Sequence, residues 1–319
     1  MSQFKQRKTD NGWLDYSIRS YSVNKATDII MQDMPLLTTA GRPIAGSWDG
    51  KKTVRLDEVL KNLIGYYPVT RQMIGDCVSF GYAKALMISI AVDILMRGEN
   101  EEWRHEVATE WIYGAARKFA GGGRLGNDDG LVGSWAAKSI LDNGVLFRTL
   151  YETNKDGRGQ KKKFDLRRYS GKRAKDWGYR GLPDEYLEPI ADLHPVSRRP
   201  ALTTSFEAAA DAISNGYPVP VCSTRGFHDV RDRDGFLKPK GKWHHCMTFV
   251  AVRGGRRPGL LVDNSSWVDW CRGPNPDNVP TGCGWVDARD ADSMLRQDDS
   301  FAIPGVNGFV IQEIDHSPW

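Results

Sequence analysis

Residues 77–98 constrain this chain more than any other stretch. A loop punctuated by Pro and Gly, Tyr66-Tyr67-Pro68 through Gly75-Asp76, ends at Cys77. From there Val78, Ala83, Leu86, Ile90 and Leu95 recur at helical intervals, and Gly98 closes the run. Most faces of such a helix are apolar, which predicts a central, buried element round which the rest must pack. Lys84 and Asp93 interrupt its richest part, so no uninterrupted window of membrane-spanning length is present, and the run reads as a core helix.

The remaining pattern is helical first and strand-like later. Residues 1–65 are polar and mixed, with turn signals at Asp10-Asn11-Gly12 and Gly41-Arg42-Pro43, and read as an irregular N-terminal arm with one short helix near Leu56–Leu63. Further helices are predicted over Glu102–Phe119, stopped by Gly121-Gly122-Gly123, and over Ser134–Asp142, stopped by Asn143-Gly144. Another follows the capping box Thr204-Ser205-Phe206-Glu207 and stops at Asn215-Gly216. Strands are predicted at Pro218–Ser223, Met247–Val252, Gly259–Val262, Gly284–Asp287 and Gly308–Glu313. This segregation is α+β, with no internal repeat.

Composition excludes several classes. The chain has 319 residues, enough to bury a core without staples, and its eleven each of Trp, Tyr and Phe exclude disorder as the main state. Five cysteines, an odd and sparse set, argue against a disulfide framework. The opening MSQFKQRKTDNGW has no apolar core of a signal peptide, so a cytoplasmic setting is expected. The net charge of +4 is uneven: residues 155–180 hold eleven Lys/Arg and three Asp, a net of +8, leaving −4 elsewhere. That segment reads as an exposed basic insertion, with Phe164, Tyr169, Trp177 and Tyr179 among its charges. It reads as a solvated loop, with contact to nucleic acid or to an acidic protein surface as the alternatives.

The chemistry-bearing residues are few. A cysteine in the first turn of a buried helix sits where unpaired N–H groups and the helix dipole favour a thiolate. Such a nucleophile needs a base, and the base needs an orienting group. His245 opens a predicted strand and Asn264 ends the next, in Val262-Asp263-Asn264-Ser265-Ser266-Trp267, so adjacent strands could set imidazole beside carboxamide. His244 is the rival base, but on a strand it faces opposite to His245. His105, His194, His228 and His316 read as surface or core residues. A zinc site from His244, Cys246, Cys271 and Cys283 lacks a C-x-x-C pair, and Gly121–Gly126 lacks the Lys-Ser/Thr of a phosphate loop. No cofactor or metal is expected.

These residues resemble the papain-like cysteine peptidases. The likeness runs through Gln72, Gly75-Asp76-Cys77-Val78-Ser79-Phe80, Asp129-Gly130-Leu131-Val132-Gly133-Ser134-Trp135-Ala136-Ala137, Asn143-Gly144-Val145, Asp234-Gly235-Phe236, His245-Cys246-Met247, Asn264-Ser265-Ser266-Trp267 and Cys283-Gly284-Trp285. It implies a two-lobed fold. A helical lobe over about 66–150 would begin its central helix at Cys77, the basic insertion would occupy 155–180, and an antiparallel β-rich lobe would fill 200–319. It implies Cys77 as nucleophile, His245 as general base and acid, Asn264 as its orienter, and Gln72 with the Cys77 backbone N–H as oxyanion donors. Trp267 would shield the His–Asn pair, with Trp270 close behind. The substrate would be a peptide or protein, cleaved through an acyl-enzyme.

The chain also departs from the pattern. Val78 replaces the usual Trp, Gln72 lies five residues before Cys77 with Arg71 in the usual place, and an extra Ser interrupts Asn-Ser-Trp. Asp76 sets a like charge beside the thiol, which opposes ionisation. His245 and Asn264 lie 168 and 187 residues after Cys77, beyond the family's usual gap of roughly 130–150, and the basic insertion accounts for the excess. A weaker likeness to papain-like proteins of tailed bacteriophages implies an alternative. In it the chain is a virion structural or assembly protein with weak or no catalysis, contacting other virion proteins through its arm and insertion. A peptidoglycan amidase sharing the Asp76-Cys77 start is the lesser alternative, disfavoured by the long Cys-to-His gap.

Overall fold

The computed structural model describes residues 12–14, 21–33, 48–69, 71–98, 102–103, 105–154, 161–265 and 270–306. The expected strand at Gly308–Glu313, the residues His316 and Trp267, and part of the basic segment lie outside them.

Helix α1 spans Tyr21–Asp33, strand β1 Val54–Arg55, and helix α2 Leu56–Ile64. Helix α3 spans Cys77–Met96 and is the central element: its residues are buried on every face from Cys77 to Asp93, with Lys84 partly exposed. By length and composition it could cross a membrane, yet here it is enclosed by the other elements. Helix α4 covers Thr109–Ala115 and runs into a π-helical turn at Ala116–Ala120; α5 covers Gly133–Asp142. Then follow the hairpin β2 (Leu150–Asn154) and β3 (Lys161–Asp165), helices α6 (Gly171–Tyr179) and α7 (Asp184–Ala191), and strand β4 (Ala201–Leu202). The last part holds α8 (Phe206–Ser214), β5 (Val219–Arg231), β6 (Leu237–Arg253), β7 (Gly259–Asp263), β8 (Cys283–Asp287), α9 (Ala288–Leu295) and β9 (Phe301–Ala302).

The main sheet is antiparallel. β6 is its spine, pairing with β5 and β1 on one side and with β7 on the other, and β7 pairs with β8. α3 packs against β6, so the helix carrying Cys77 lies directly on the strand carrying His245. Thr248 Oγ1 donates to Gly81 O at 2.9 Å across that seam, and a side chain at Gly81 would strike Cys246 Sγ. The apolar core is continuous from α3 through α5 and α8 to β5–β8.

Three local features differ from the sequence reading. The helix expected from Glu102 begins at Thr109. Residues 106–108 instead bond to the 146–148 segment, through Arg148 N to Glu106 O and Ala108 N to Leu146 O, so their backbone groups are satisfied outside a helix. The cap of α8 is Ser205, whose hydroxyl accepts from Ala208 N, one residue later than the box suggested. The strands predicted at 218–223 and 247–252 are the apolar halves of much longer β5 and β6, whose polar halves carry bulges.

The basic segment is ordered where it is described. Its Leu166 joins Leu182, Tyr186 and Leu187 of the following stretch and Trp111 in a second apolar cluster. Glu110 of α4 is fully buried and receives Arg148 Nη1 at 3.0 Å, Arg173 Nη2 at 2.8 Å and the Ser170 backbone N–H at 2.9 Å. One arginine of the basic segment is thus held inside by a buried carboxylate. Residues 161–165 and 171–179 form a hairpin strand and a helix rather than a solvated loop. The arm also holds more structure than expected, since α1 docks on α5 with Trp135 Nε1 donating to Thr27 Oγ1 at 3.0 Å.

Candidate active site

Cys77 is the first residue of α3, fully buried, and its sulfur accepts the Cys246 backbone N–H at 3.3 Å. That bond ties the thiol to the strand residue next to His245. His245 is also fully buried, and its Nε2 lies 2.7 Å from Asn264 Oδ1 at the end of β7. A carboxamide oxygen only accepts, so the bond fixes the proton on Nε2 and makes Nδ1 the basic nitrogen of the neutral ring. Asn264 is held in turn by its own backbone N–H to Gly282 O at 3.1 Å. Trp243, two residues upstream on β6, stands edge-on to the His245 ring at 5.4 Å and leans on Trp270 at 6.1 Å.

Gln72 comes to the same place from the helical side. Its backbone N–H donates to Ser265 O at 3.1 Å, Ser265 Oγ donates to its Oε1 at 3.2 Å, and its own Nε2 donates to Ile74 O at 3.0 Å. The loop before Cys77 and the loop after Asn264 are therefore stitched together at Gln72. Nearby, Asp263 receives the Tyr67 hydroxyl at 2.9 Å and the Lys84 ammonium at 3.1 Å, a second clasp between the halves that sequence patterns did not reveal.

The electrostatics of the closed site favour neutral forms. Burial pushes the Cys77 thiol well above its ordinary value; a neighbouring Cys246 adds to this, while the Cys246 N–H and the helix start at Val78 pull the other way. Burial lowers the His245 imidazole to about 4, with the Asn264 bond opposing. Asp76, the residue expected to repel a thiolate, is fully buried and its carboxyl is raised well above the usual range, chiefly by burial. Tyr169, from the basic segment, donates to Asp76 Oδ2 at 2.8 Å and accepts the Met73 N–H at 3.1 Å. Asp76 in turn adds to the rise of the Cys77 thiol, as its place in the sequence led one to expect, and Tyr169 is a supporting residue that no motif announced.

A glycine-rich loop, tied through Asp129 to the residues before Cys77, is held by side chains from several elements. Arg117, buried, donates to Gly130 O at 2.6 Å, Gly126 O at 2.9 Å and Gly178 O at 2.9 Å. Asp129 receives the Gly75 N–H at 2.9 Å and the Tyr113 hydroxyl at 2.8 Å. Asp299 accepts from Gly133 N and Ser134 N at 2.7 and 2.6 Å and so caps α5 from the far end of the chain. A cavity between the two halves is lined by Val69, Lys84, Glu106, Thr248, Asp263 and Ser265 among others. Neither Cys77 nor His245 is in its lining. Among the described residues no cluster of His, Cys, Asp and Glu suits a metal ion. All five cysteines are free and buried.

No family model and no curated protein sequence matches this chain. Solved structures do. One is xylellain, a cysteine protease from Xylella fastidiosa, at 16% identity and a TM-score of 0.56, covering 96% of this chain and 100% of that one. Another is procathepsin B S9 from Trypanosoma congolense, at 9% identity and a TM-score of 0.54, covering 92% and 86%. At such identities the likeness carries the fold: helices on one side, an antiparallel sheet on the other, in the two-lobed papain-like arrangement.

Proposed function

From a papain-like fold, we propose that the chain is a cysteine-type hydrolase acting on peptide bonds. The observations that support this reading are a thiol at the start of α3 that accepts the backbone N–H of Cys246, the residue after His245, and a His245 imidazole 2.7 Å from Asn264.

In this mechanism His245 Nδ1 takes the thiol proton and the Cys77 sulfur attacks the carbonyl carbon, forming a C–S bond while the carbonyl oxygen gains the negative charge. The Cys77 backbone N–H and the Gln72 carboxamide donate to that oxygen. The imidazolium then gives its proton to the leaving amine as the C–N bond breaks, which leaves a thioester. Water, deprotonated by His245, attacks the thioester and releases the acid and the thiol. Asn264 keeps the ring in one tautomer throughout. Burial raises the thiol and lowers the imidazole, so the covered site stores a neutral pair. Water entering on opening removes both effects and brings the two values together, which favours proton transfer.

The test is labelling by an epoxysuccinyl peptide. Cys77 is expected to carry the label, Cys77→Ala to lose it, and Asn264→Ala to slow it by about 10–100-fold, the worth of a buried hydrogen bond. A Cys77 that iodoacetamide alkylates but the peptide electrophile does not would refute the hydrolase. The full burial of Cys77 and His245 favours one second reading, a binding or assembly protein that reuses the fold without turnover. It requires that Cys77→Ala leave its biological role intact.

A further inference from the structure

We propose that Tyr169 is a positioning residue for the oxyanion: it clamps the turn from Met73 to Asp76 and so fixes the Cys77 amide and the Gln72 carboxamide that would receive the charge. This rests on the peptidase reading and deepens it, by giving the basic segment a part in the site.

Three observations carry the clamp. One hydroxyl works in both directions: it donates to Asp76 Oδ2 at 2.8 Å and accepts the Met73 N–H at 3.1 Å, so it bridges the two ends of the turn. Asp76 is the residue before Cys77 and Met73 the residue after Gln72, so each oxyanion donor adjoins one end of the bridge. The ring stands edge-on to that of Phe80, near the start of α3, at 5.0 Å. The segment bearing Tyr169 lies close on the turn, since a β-carbon at Gly171 would sit 2.8 Å from Met73 Cβ. The segment is itself anchored, because the Ser170 N–H and the Arg173 guanidinium both donate to the buried Glu110 of α4.

Two further bonds tie the turn and its approach, Gly75 N–H to Asp129 Oδ2 and Gln72 N–H to Ser265 O. Of the three ties, Tyr169 alone spans the turn from end to end. Donors to an oxyanion act only when they already point at the place where charge forms. The bond that holds the thiol comes instead from the Cys246 N–H on β6 and does not pass through the turn. Loosening the turn should therefore weaken binding of a carbonyl electrophile, whose oxygen needs those donors. It should spare alkylation by a reagent that develops no oxyanion.

The test compares the full-length chain with Tyr169→Phe, which removes only the hydroxyl. The probes are acetyl-Leu-Leu-argininal, the corresponding alcohol, and iodoacetamide. With the aldehyde, the Cys77 sulfur bonds to the carbonyl carbon, the C=O π bond breaks, and the thiol proton ends on the oxygen. The alcohol cannot react and reports binding of the peptide part alone. Tyr169→Phe should bind the aldehyde about tenfold more weakly and the alcohol within about twofold of the unsubstituted chain. Iodoacetamide should label Cys77 no more slowly, since the lost hydroxyl favoured the charged form of Asp76. Aldehyde and alcohol weakened in step, or neither weakened, overturns the proposal. If the aldehyde binds the unsubstituted chain no better than the alcohol, or neither binds, the peptidase reading is what fails. Hydrogen exchange then judges the clamp by itself: in Tyr169→Phe the Gly75 and Asp76 amides should exchange at least about tenfold faster while those of Ala85–Ile90 stay unchanged. Equal exchange at Gly75 and Asp76 overturns it. Should Tyr169→Phe fail to fold, exchange on the unsubstituted chain decides, because Met73, Asp76 and Ser170 should open as one unit. Separate opening of Ser170 from the other two overturns the proposal.

Discussion

Lowering the pH should destabilise this protein through one ring. His245 is fully buried, and its value falls from the ordinary 6.5 to about 4 because burial penalises the imidazolium more than Asn264 supports it. The unfolded chain therefore takes up the proton first. The contribution of neutral burial is fully present above the unfolded value and is lost as pH falls through the range towards the folded one. Over the whole range it amounts to about 3 kcal/mol. Between about pH 7 and about pH 5 the share lost is about 2 kcal/mol. The clean comparison is with His245→Gln, which keeps a donor for Asn264 Oδ1 and does not titrate. Other groups cancel between the two proteins, including Asp76 and Asp57, whose raised carboxyls act with the opposite sign. Urea unfolding of both, at a series of pH values, gives the difference directly. The unsubstituted chain should lose its advantage steadily towards acid. Two parallel profiles would refute the reasoning, because they would mean that His245 is as easily protonated folded as unfolded.

Other outcomes follow from buried charge and its partners. Glu110→Ala should cost about 3–5 kcal/mol in urea unfolding, because it strands Arg148 and Arg173 with the Ser170 amide; a loss below about 1 kcal/mol would mean that the basic segment is not anchored there. Tyr169→Phe should cost about 1–3 kcal/mol by leaving Asp76 Oδ2 and the Met73 amide without their partner. Asp76→Asn should be tolerated within about 1 kcal/mol, since burial already pushes the native carboxyl towards its neutral form; a large loss at neutral pH would refute this. Thr248→Val, which removes the 2.9 Å bond to Gly81 O, should cost about 1 kcal/mol and mark the α3–β6 seam in thermal melts.

The amino-acid sequence alone determined the central helix, its first residue, and the two strands that bear His245 and Asn264. These are local matters. An apolar run with a cysteine at its head reads as a buried helix from periodicity, and a β-branched run bounded by turns reads as a strand. The ends of elements were less legible where tertiary bonds replaced helical ones, as at residues 106–108. What only the tertiary structure decided is the company each residue keeps. Asp76 reads in sequence as a repelling charge, and folding adds what spacing could not show: it is buried, its carboxyl is raised, and it accepts from Tyr169, 93 residues away. The basic segment reads as a charged surface, and a carboxylate 63 residues upstream draws one of its arginines inward. Trp13 sits in a polar stretch with no periodicity, yet an acceptor 286 residues on buries it beside the site. Spacing reports neighbours along the chain; desolvation and pairing depend on neighbours in space, and those exist only once the chain has closed on itself.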